Sequence, residues 1–273
     1  MSALRAVAER YLPPRYLPAA RSVFHRSVRA IRSVIFYGSR FYCPLCDHRL
    51  RLFLPGGAHV PQLKHHKLVG LGFRAHRQCP VCLATDKERH QFLCISEQLA
   101  VFSGERIRLL HIAPEPNARR LLEASPRVDY FCGDLNSPQV DVRLDVRSIP
   151  YGDHTVDAIL CSHVLEHIPE DREAVAELYR VLKPGGWAIL QVPVSLSLEE
   201  TMEEPRAQSE KEREMQFGQS DHVRLYGRDY LNRLSAAGFE VEPYNYATAH
   251  GITAAHRNGL IVDEDVYVCR KIV

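Results

Sequence analysis

No uninterrupted apolar run in this 273-residue sequence reaches the roughly 18 residues that suggest a membrane-spanning helix. No secretory apolar segment opens the sequence, and it contains no internal repeat and no low-complexity tract. The net charge is only +2, and the apolar fraction (45%) and charged fraction (25%) are ordinary for a globular protein. We therefore expect a cytoplasmic protein with one α/β domain and a smaller unit beside it.

The small net charge conceals an uneven distribution. Residues 1–40 carry eight arginines and a single acid. From about Ala19, apolar residues recur at helical spacing, so we predict a basic helical arm that is broken at Pro13-Pro14 and again near Pro18. The helix either packs on its own protein or contacts RNA or a membrane surface as a peripheral element. An organellar transit peptide has a similar composition.

A second charged segment has the opposite sign. Residues 195–216 carry seven glutamates and three basic residues, and they follow a predicted strand. This segment is interpreted as an insertion that covers the substrate, or as a solvated surface helix.

Two short cysteine motifs, "CPLC" and "CPVC", predict a metal site. Two residues between thiolates let both sulfurs of a tight turn face one ion, and two such turns supply the four ligands that Zn²⁺ prefers. We predict one structural zinc within residues 41–95, held by Cys43, Cys46, Cys79 and Cys82. The alternatives are two unrelated cysteine turns, or a ligand set that recruits His48, His65, His66 or His76. The other four cysteines lie in apolar contexts typical of a core.

Residues 96–273 show strand and helix patterns in alternation. Strands are predicted at "RIRLLHIA", "VDYFCGDL", "VDAILCSHV", "GWAILQVPV" and "EDVYVCRKI". Helices are predicted at "NARRLLEAS", "EDREAVAELYRVL" and "DYLNRLSAAG". Such alternation predicts an α/β fold, in which a mainly parallel sheet carries helices on both faces.

Several of these segments resemble class I S-adenosylmethionine-dependent methyltransferases of the broad group that contains many small-molecule enzymes. The matching motifs are "LLHIAPEPN", "YFCGDLN", "LDVRSIPYGDHTVDAILCSHVLEHI" and, as the nearest match, "LYRVLKPGGWAILQVPV". The resemblance covers most of residues 107–270. It implies a Rossmann-like sheet with an antiparallel last strand, S-adenosyl-L-methionine as cofactor, and a methyltransferase activity.

Two acids are the predicted contacts of the adenosine part of the cofactor. Asp134 ends the second predicted strand, where an acid can accept hydrogen bonds from both ribose hydroxyls. Asp145, followed by Val146, falls where the resemblance implies a contact with the adenine amino group. The structural alternatives are a turn aspartate at the first position and a cap or turn at the second.

The predicted cofactor loop departs from the family pattern. Aligned on the family's acid and three glycines, the sequence has His111, Ala113, Glu115 and Asn117. We predict that Asn117 caps the following helix, whose free N–H groups bind the methionine carboxylate, and that Glu115 pairs with the methionine ammonium. The alternative is that the domain has lost its cofactor.

Catalytic candidates follow the fourth predicted strand. Ser162 and His163 lie at its carboxyl end, where open α/β sheets place ligands, and Asp221 and His222 lie in a loop that could return there. Ser162 is predicted to contact the cofactor, and His163 and His222 are the candidate bases. We predict in-line methyl transfer to a small-molecule or sugar-type acceptor. The alternatives are an RNA methyltransferase that reads its substrate with the zinc module and basic arm, and a non-catalytic binding protein with a vestigial fold.

Overall fold

A computed structural model describes residues 17–60, 65–204 and 209–272 of the chain. The helices are α1 Leu17–Ile35, α2 Asp86–Leu93, α3 Pro116–Glu123, α4 Asp171–Val181, α5 Glu210–Phe217, α6 Tyr230–Ala236, α7 Tyr246–His250 and α8 Ile252–Arg257. A π-helical segment, Cys94–Gln98, continues α2, and a 3₁₀ turn spans Leu165–His167. Within the described residues, no helix is long and apolar enough to span a lipid bilayer.

The strands are numbered in chain order. They are β1 Tyr37–Cys43, β2 His48–Leu50, β3 Leu54–Gly56, β4 Leu68–Val69, β5 Arg74–Gln78, β6 Ile107–Ile112, β7 Val128–Asp134, β8 Val142–Arg143, β9 Val156–Ser162, β10 Leu182–Gln191, β11 Val194–Ser195, β12 Met202–Glu203, β13 Arg224–Leu225, β14 Glu240–Tyr244 and β15 Val266–Arg270.

One seven-stranded sheet organises the molecule, in the order β14-β15-β10-β9-β6-β7-β8. The five strands from β10 to β8 are parallel to one another, whereas β15 is antiparallel to both of its neighbours. The strand order reverses between β6 and β9, so a crevice opens there at the carboxyl ends of the strands. This is the Rossmann-like sheet that the sequence predicted, with the antiparallel last strand that the resemblance implied.

The central strands are buried on both faces, as their near-continuous apolar runs require. One core cluster packs β9, β10 and α4 around Ile159, Leu178 and Leu190. The cluster on the other face contains Leu160, Ile189 and Val268 and also takes in Leu93 and Cys94 from the segment before β6. The N-terminal module therefore shares its core with the methyltransferase-like sheet.

Strand pairing joins the same two regions. β4 pairs with β11, which follows the fifth sheet strand, through Val69 and Val194. Helix α2 begins with a capping box in which Thr85 and Glu88 satisfy each other's backbone N–H groups. This cap fixes the start of α2, and the helix lies over the crevice between β6 and β9.

Helix α1 begins at Leu17, beside the predicted break near Pro18, and the residues before it lie outside the described part of the chain. Proline fits the first helical turn because its missing N–H would have no partner there. Pro13 and Pro14 lie outside the described residues. Ile31 and Val34 are 59% and 78% exposed, so α1 leaves part of its apolar face uncovered.

The acidic segment is only partly regular. Its strand β12 pairs with β13, which lies after the acidic segment in the chain. Helix α5 lies within the segment and begins with a capping box made by Ser209 and Glu212. Most side chains of α5 are exposed, and Phe217 anchors its end in a small apolar cluster. Residues 205–208 lie outside the described part of the chain, and a covering role for the segment remains a prediction.

Candidate functional site

The loop after β6 is held by its own side chains. His111 is fully buried, with its Nε2 2.8 Å from Glu115 Oε2 and its Nδ1 3.1 Å from the Tyr130 hydroxyl. Ala113 takes a positive φ of 49°, a conformation that glycine adopts more easily. Burial alone would raise the pKa of Glu115, but the hydrogen bond and charge of His111 outweigh it and hold the pKa below its usual value. A histidine–glutamate contact thus stabilises a loop that usually relies on glycines.

The prediction that Asn117 caps the next helix is wrong. The cap residue of α3 is Glu115, without a side-chain capping bond, and Pro116 occupies the first turn. Asn117 is the second residue of α3, after Pro116, and its side-chain amide donates a hydrogen bond of 3.1 Å to Glu88 Oε1. The helix starts earlier because proline suits its first turn, and the Asn117 side chain ties α3 to α2 instead.

Asp134 ends β7 at the carboxyl edge of the sheet. Its Oδ1 accepts hydrogen bonds from the backbone N–H groups of Asn136 (2.7 Å) and Ser137 (2.6 Å). This is the turn role that the sequence left open, and it uses one carboxylate oxygen. Among the described residues, Oδ2 has no hydrogen-bond partner, so one oxygen is available to a ribose.

Asp145 lies after β8 and is held by Arg147. The Arg147 guanidinium spans both carboxylate oxygens, with Nη2 2.8 Å from Oδ2, and also reaches Glu170. Its hydrogen bonds lower the pKa of Asp145. An adenine contact through the Asp145 carboxylate would therefore compete with a bidentate ion pair.

Ser162 is the last residue of β9, and His163 follows it directly. His163 has a positive φ of 57°, and its Nδ1 lies 3.0 Å from Glu166 Oε1. Ser162 Oγ and His163 Nε2 are both buried without a hydrogen-bond partner in the described chain. Unsatisfied buried polar atoms are expensive, so two of them at a strand end indicate a position for a ligand.

A small cavity joins these residues to α2 and to the β14–β15 region. It is lined by Lys87, His90, Gln91, Glu115, Ser162, His163, Gln191, Glu264 and Val266, and its volume is about 10 Å³. That volume holds about one water molecule. His90 Nε2 and Gln91 Nε2 also lack partners within the described residues. The crevice is thus rich in unpaired polar atoms and is closed by α2.

Burial changes the titration of the groups on α2. It lowers the pKa of Lys87 to about 8 and that of His90 to about 4. The carboxylate of Glu264 partly offsets the effect on Lys87, while burial raises the pKa of Glu264 itself. Perturbed groups that converge on one crevice are typical of functional sites.

A larger, open cavity of about 590 Å³ lies on the other side of Lys87. Its wall includes Arg77, Lys87 and Asp221, and the backbone of Gly70 and Gly72. A Cβ placed on Gly70 would lie 3.5 Å from His163 Cε1, so the wall of this cavity passes close to His163. Lys87 lines both spaces and separates the open cavity from the closed crevice.

The loop that carries Asp221 and His222 does return to the end of β9. The rings of His167 and His222 are 4.8 Å apart, edge to face, and the Asp221 carbonyl lies 3.2 Å from His167 Nδ1. His222 is 1% exposed and does not line the closed crevice, which His163 does. Of the two candidate bases, the fold brings only His163 to the crevice next to Glu115 and Ser162.

The four predicted zinc ligands come together as one cluster. Sγ of Cys43 lies 3.7 Å from that of Cys82, and Sγ of Cys46 lies 3.8 Å from that of Cys79. Tetrahedral thiolates at about 2.3 Å from zinc are about 3.8 Å apart, whereas a disulfide is about 2.05 Å long. The sulfur positions therefore fit a tetrahedral metal ion. Among the described residues, none of the alternative histidines joins this cluster.

Three site residues on α2 were missed by the sequence analysis: Lys87, His90 and Gln91. Their helix precedes β6 and carries no family motif. The capping-box pattern of Thr85 and Glu88 in the sequence indicates the start of a helix. Nothing local indicated that this helix would cover the crevice.

The comparisons with known proteins include a family model that spans the first five sheet strands in the chain, β6 to β10. A family model described as a methyltransferase domain matches residues 98–190. A protein of Mycobacterium avium (strain 104), named only as an uncharacterized methyltransferase, is 34% identical over 97 residues, which cover 36% of this chain and 35% of that protein. An uncharacterized methyltransferase of Mycobacterium tuberculosis (strain ATCC 25177 / H37Ra) is 35% identical over 86 residues, or 32% of each chain. The chain thus spans about a third of the length of the curated relatives it matches.

Two solved structures are also similar. The Burkholderia thailandensis 1,6-didemethyltoxoflavin-N1-methyltransferase, solved with 1,6-didemethyltoxoflavin and S-adenosylhomocysteine, is 16% identical with a TM-score of 0.43, covering 66% of this chain and 75% of that one. A SAM dependent methyltransferase from Archaeoglobus fulgidus is 15% identical with a TM-score of 0.42, covering 68% and 93%. Residues 98–190 of this chain thus match a methyltransferase domain, and the observed strand order of the sheet is Rossmann-like.

Proposed function

We propose that this chain transfers a methyl group from S-adenosyl-L-methionine to a small polar acceptor. The observation that carries the proposal is the set of unpaired, buried polar atoms at the carboxyl end of β9, inside the segment that matches the methyltransferase domain. A fold without a ligand leaves Ser162 Oγ and His163 Nε2 to the one water molecule that the cavity can hold. A ligand in the crevice gives both atoms partners.

The donor set suits the cofactor. Asp134 has one free carboxylate oxygen for the ribose, and Glu115 supplies a negative charge for the methionine ammonium. His90 and Gln91 offer unpaired ring and amide nitrogens for the methionine carboxylate. The volume of the crevice without a ligand is only about 10 Å³. The side chains of α2 must therefore turn outward when the cofactor enters.

The bound cofactor supplies an electrophilic methyl group on sulfur, and this chain's residues position and deprotonate the acceptor. His163 Nε2 faces the crevice and is the proposed base. Glu166 orients the ring through Nδ1 and stabilises the imidazolium that forms. Positioning contributes most of the remaining rate, because displacement at sulfonium needs no acid for the leaving group.

We propose that the acceptor occupies the open cavity of about 590 Å³. This volume is typical of small-molecule pockets. The wall carries Arg77 and Lys87 together with Glu214 and Asp221, and such a mixture of donors and acceptors favours an acceptor with many hydroxyls, such as a sugar derivative. Lys87 lies between this cavity and the crevice, so it can contact an acceptor placed next to the cofactor.

We also propose that the four-cysteine cluster of Cys43, Cys46, Cys79 and Cys82 holds one structural zinc ion. Four thiolates leave no open coordination position, so the ion contributes to folding and takes no part in the chemistry. The sulfur spacing described above supports this assignment.

Methylation of fractionated cell extract with labelled S-adenosylmethionine tests the proposed function. We expect label in the small-molecule fraction, and a reduction of about 10²–10⁴-fold with His163→Gln, the scale of a lost general base. His256→Gln, an exposed histidine on α8, is the matched control. Label in RNA would establish the RNA-modifying alternative. No label in any fraction, together with no binding of S-adenosylhomocysteine, would establish the vestigial binding protein.

A further inference from the structure

A second group of metal-ligating side chains lies apart from the cysteines. Glu166 and His167 on the 3₁₀ turn after β9 and His222 in the loop before β13 each bring one ligand atom within 4.8 Å of the others. We call these three residues the histidine–glutamate cluster. Neither the zinc assignment nor the proposed methyl transfer uses it as a metal site.

The backbone holds the two segments of the cluster together. The N–H of Val223 donates to the carbonyl of Glu166 at 2.9 Å. Buried Arg224 donates from its guanidinium to the carbonyls of Leu165 (3.1 Å) and Pro169 (2.8 Å). One main-chain hydrogen bond and the guanidinium of buried Arg224 therefore hold the two segments that carry the ligands next to each other.

Two ligand atoms are buried and unpaired. Glu166 and His222 are each 1% exposed, and neither Glu166 Oε2 nor His222 Nδ1 has a hydrogen-bond partner in the described part of the chain. A buried carboxylate oxygen without a partner is among the most expensive polar groups in a protein. A cation between these two atoms would satisfy both.

In two of the three ligands, Glu166 and His167, the other polar side-chain atom already has a contact partner. Glu166 Oε1 lies 3.0 Å from His163 Nδ1, and His167 Nδ1 lies 3.2 Å from the Asp221 carbonyl oxygen. Nδ1 of His222 has no hydrogen-bond partner among the described residues. Metal-binding imidazoles usually donate their other N–H to a carbonyl or carboxylate, and the Asp221 carbonyl gives His167 such an outer contact.

We propose that Glu166, His167 and His222 bind a divalent transition-metal ion of the zinc type. Two imidazoles and one carboxylate form a ligand set that zinc accepts, and three protein ligands leave a position for water or an acceptor oxygen. Bonds of about 2.1 Å draw the three atoms closer than they now lie. His167, with a side chain 31% exposed, has room for that adjustment.

The position of the cluster connects it with the open cavity. Asp221, whose carbonyl contacts His167, lines the cavity of about 590 Å³. A metal in the cluster would lie next to the space that we assign to the acceptor. The metal site itself goes beyond the proposed methyl transfer, and its test uses neither cofactor nor turnover.

Cobalt titration of the metal-stripped full-length protein tests the proposal. Thiolate ligands give Co²⁺ an intense charge-transfer absorption that imidazole and carboxylate ligands do not give. We therefore expect the wild type to bind one equivalent of Co²⁺ beyond the amount that accounts for the thiolate absorption. Calorimetry with Zn²⁺ should show the same additional site.

His167→Ala should remove the additional equivalent and leave the thiolate absorption unchanged, and Glu166→Gln should weaken it at least tenfold. His256→Ala is the matched control and should bind as the wild type does. Circular dichroism reports whether each variant folds, and His167→Ala tests the site even if changes at buried Glu166 disrupt folding. The proposal is overturned if the wild type binds no Co²⁺ beyond the thiolate-bound amount, or if folded His167→Ala binds as much as the wild type.

Discussion

Arg89 on α2 donates a hydrogen bond of 2.9 Å from Nη2 to the carbonyl oxygen of Gly259, 170 residues away in the chain. The same buried guanidinium donates to the carbonyls of His76, Arg77, Ala84 and Asn258, at 2.8 to 3.1 Å, and lies 3.9 Å from the ring centroid of Phe53. It therefore joins the cysteine-containing segment to the segment between α8 and β15. A Cβ on Gly259 would come within 2.5 Å of the Phe53 ring, so this contact also requires glycine.

Replacing this arginine should destabilise the whole protein. Arg89→Met removes the guanidinium donor from five carbonyl groups, in three of which the hydrogen bond is buried, so we expect the free energy of unfolding to fall by about 3 kcal/mol or more. Urea denaturation measures the change. Arg106→Met, at an exposed arginine, is the control and should stay within about 0.5 kcal/mol of the wild type. An equally small effect of Arg89→Met would contradict the structural role of this residue.

Removing one zinc ligand should remove the metal. Cys79→Ser should reduce bound zinc by one equivalent per chain and lower the melting temperature, because structural zinc binding contributes directly to folding. Elemental analysis and thermal unfolding with and without chelator measure both effects. Cys132→Ser changes another buried thiol, which hydrogen-bonds Asp141, and should keep its zinc. Protein purified without chelator that contains no zinc would refute the assignment.

Asp134 should contribute to cofactor affinity through its second carboxylate oxygen. Asp134→Asn keeps an oxygen for the N–H groups of Asn136 and Ser137 but removes the charge. We expect S-adenosylhomocysteine to bind about 1–3 kcal/mol more weakly, the scale of a lost hydrogen bond to a charged group. Calorimetry measures the affinity. Asp129→Asn, at an exposed position of the same strand, should bind normally; equal affinities of the two variants would argue against a ribose contact.

Lys87 should make stability depend on pH. Burial lowers its pKa from 10.5 to about 8 in the folded protein. Between these two values the unfolded chain binds more protons than the folded one, so the free energy of unfolding should rise with pH across this window. Lys87→Met should therefore be more stable than the wild type at pH 7, and the difference should shrink as the pH approaches 10.5.

Denaturant unfolding at several pH values tests this prediction, with Lys211→Met as the exposed control. The control should show no pH-dependent difference from the wild type. A constant difference between Lys87→Met and the wild type from pH 7 to 10 would mean that the folded protein does not lower the pKa of this lysine.

The sheet strands and the thiolate pairs were predictable from the sequence. The segments around Leu110, Ile159 and Ile189 are continuous apolar runs that fit buried parallel strands, and the structure contains a strand at each. The two C-x-x-C motifs place thiols within one turn of backbone, so each pair was determined locally. Local patterns identify such elements because the interactions that form them lie within a few residues.

Helix capping near Asn117 was less predictable, although it also looks local. An asparagine before a helical pattern usually caps it, but Pro116 suits the first turn and starts the helix earlier. The carboxylate of Glu88, on the helix α2 that covers the crevice, then accepts a hydrogen bond from this amide. A tertiary contact therefore decided what this side chain does.

Only the tertiary structure decided what surrounds the crevice. The sequence alone determined the domain type and the strand ends that carry Asp134 and Ser162. It did not determine that α2 would place Lys87 over the crevice, or that the loop carrying His222 would pack against Glu166. These arrangements depend on packing between residues that are far apart in the chain. Short-range sequence patterns do not predict such packing.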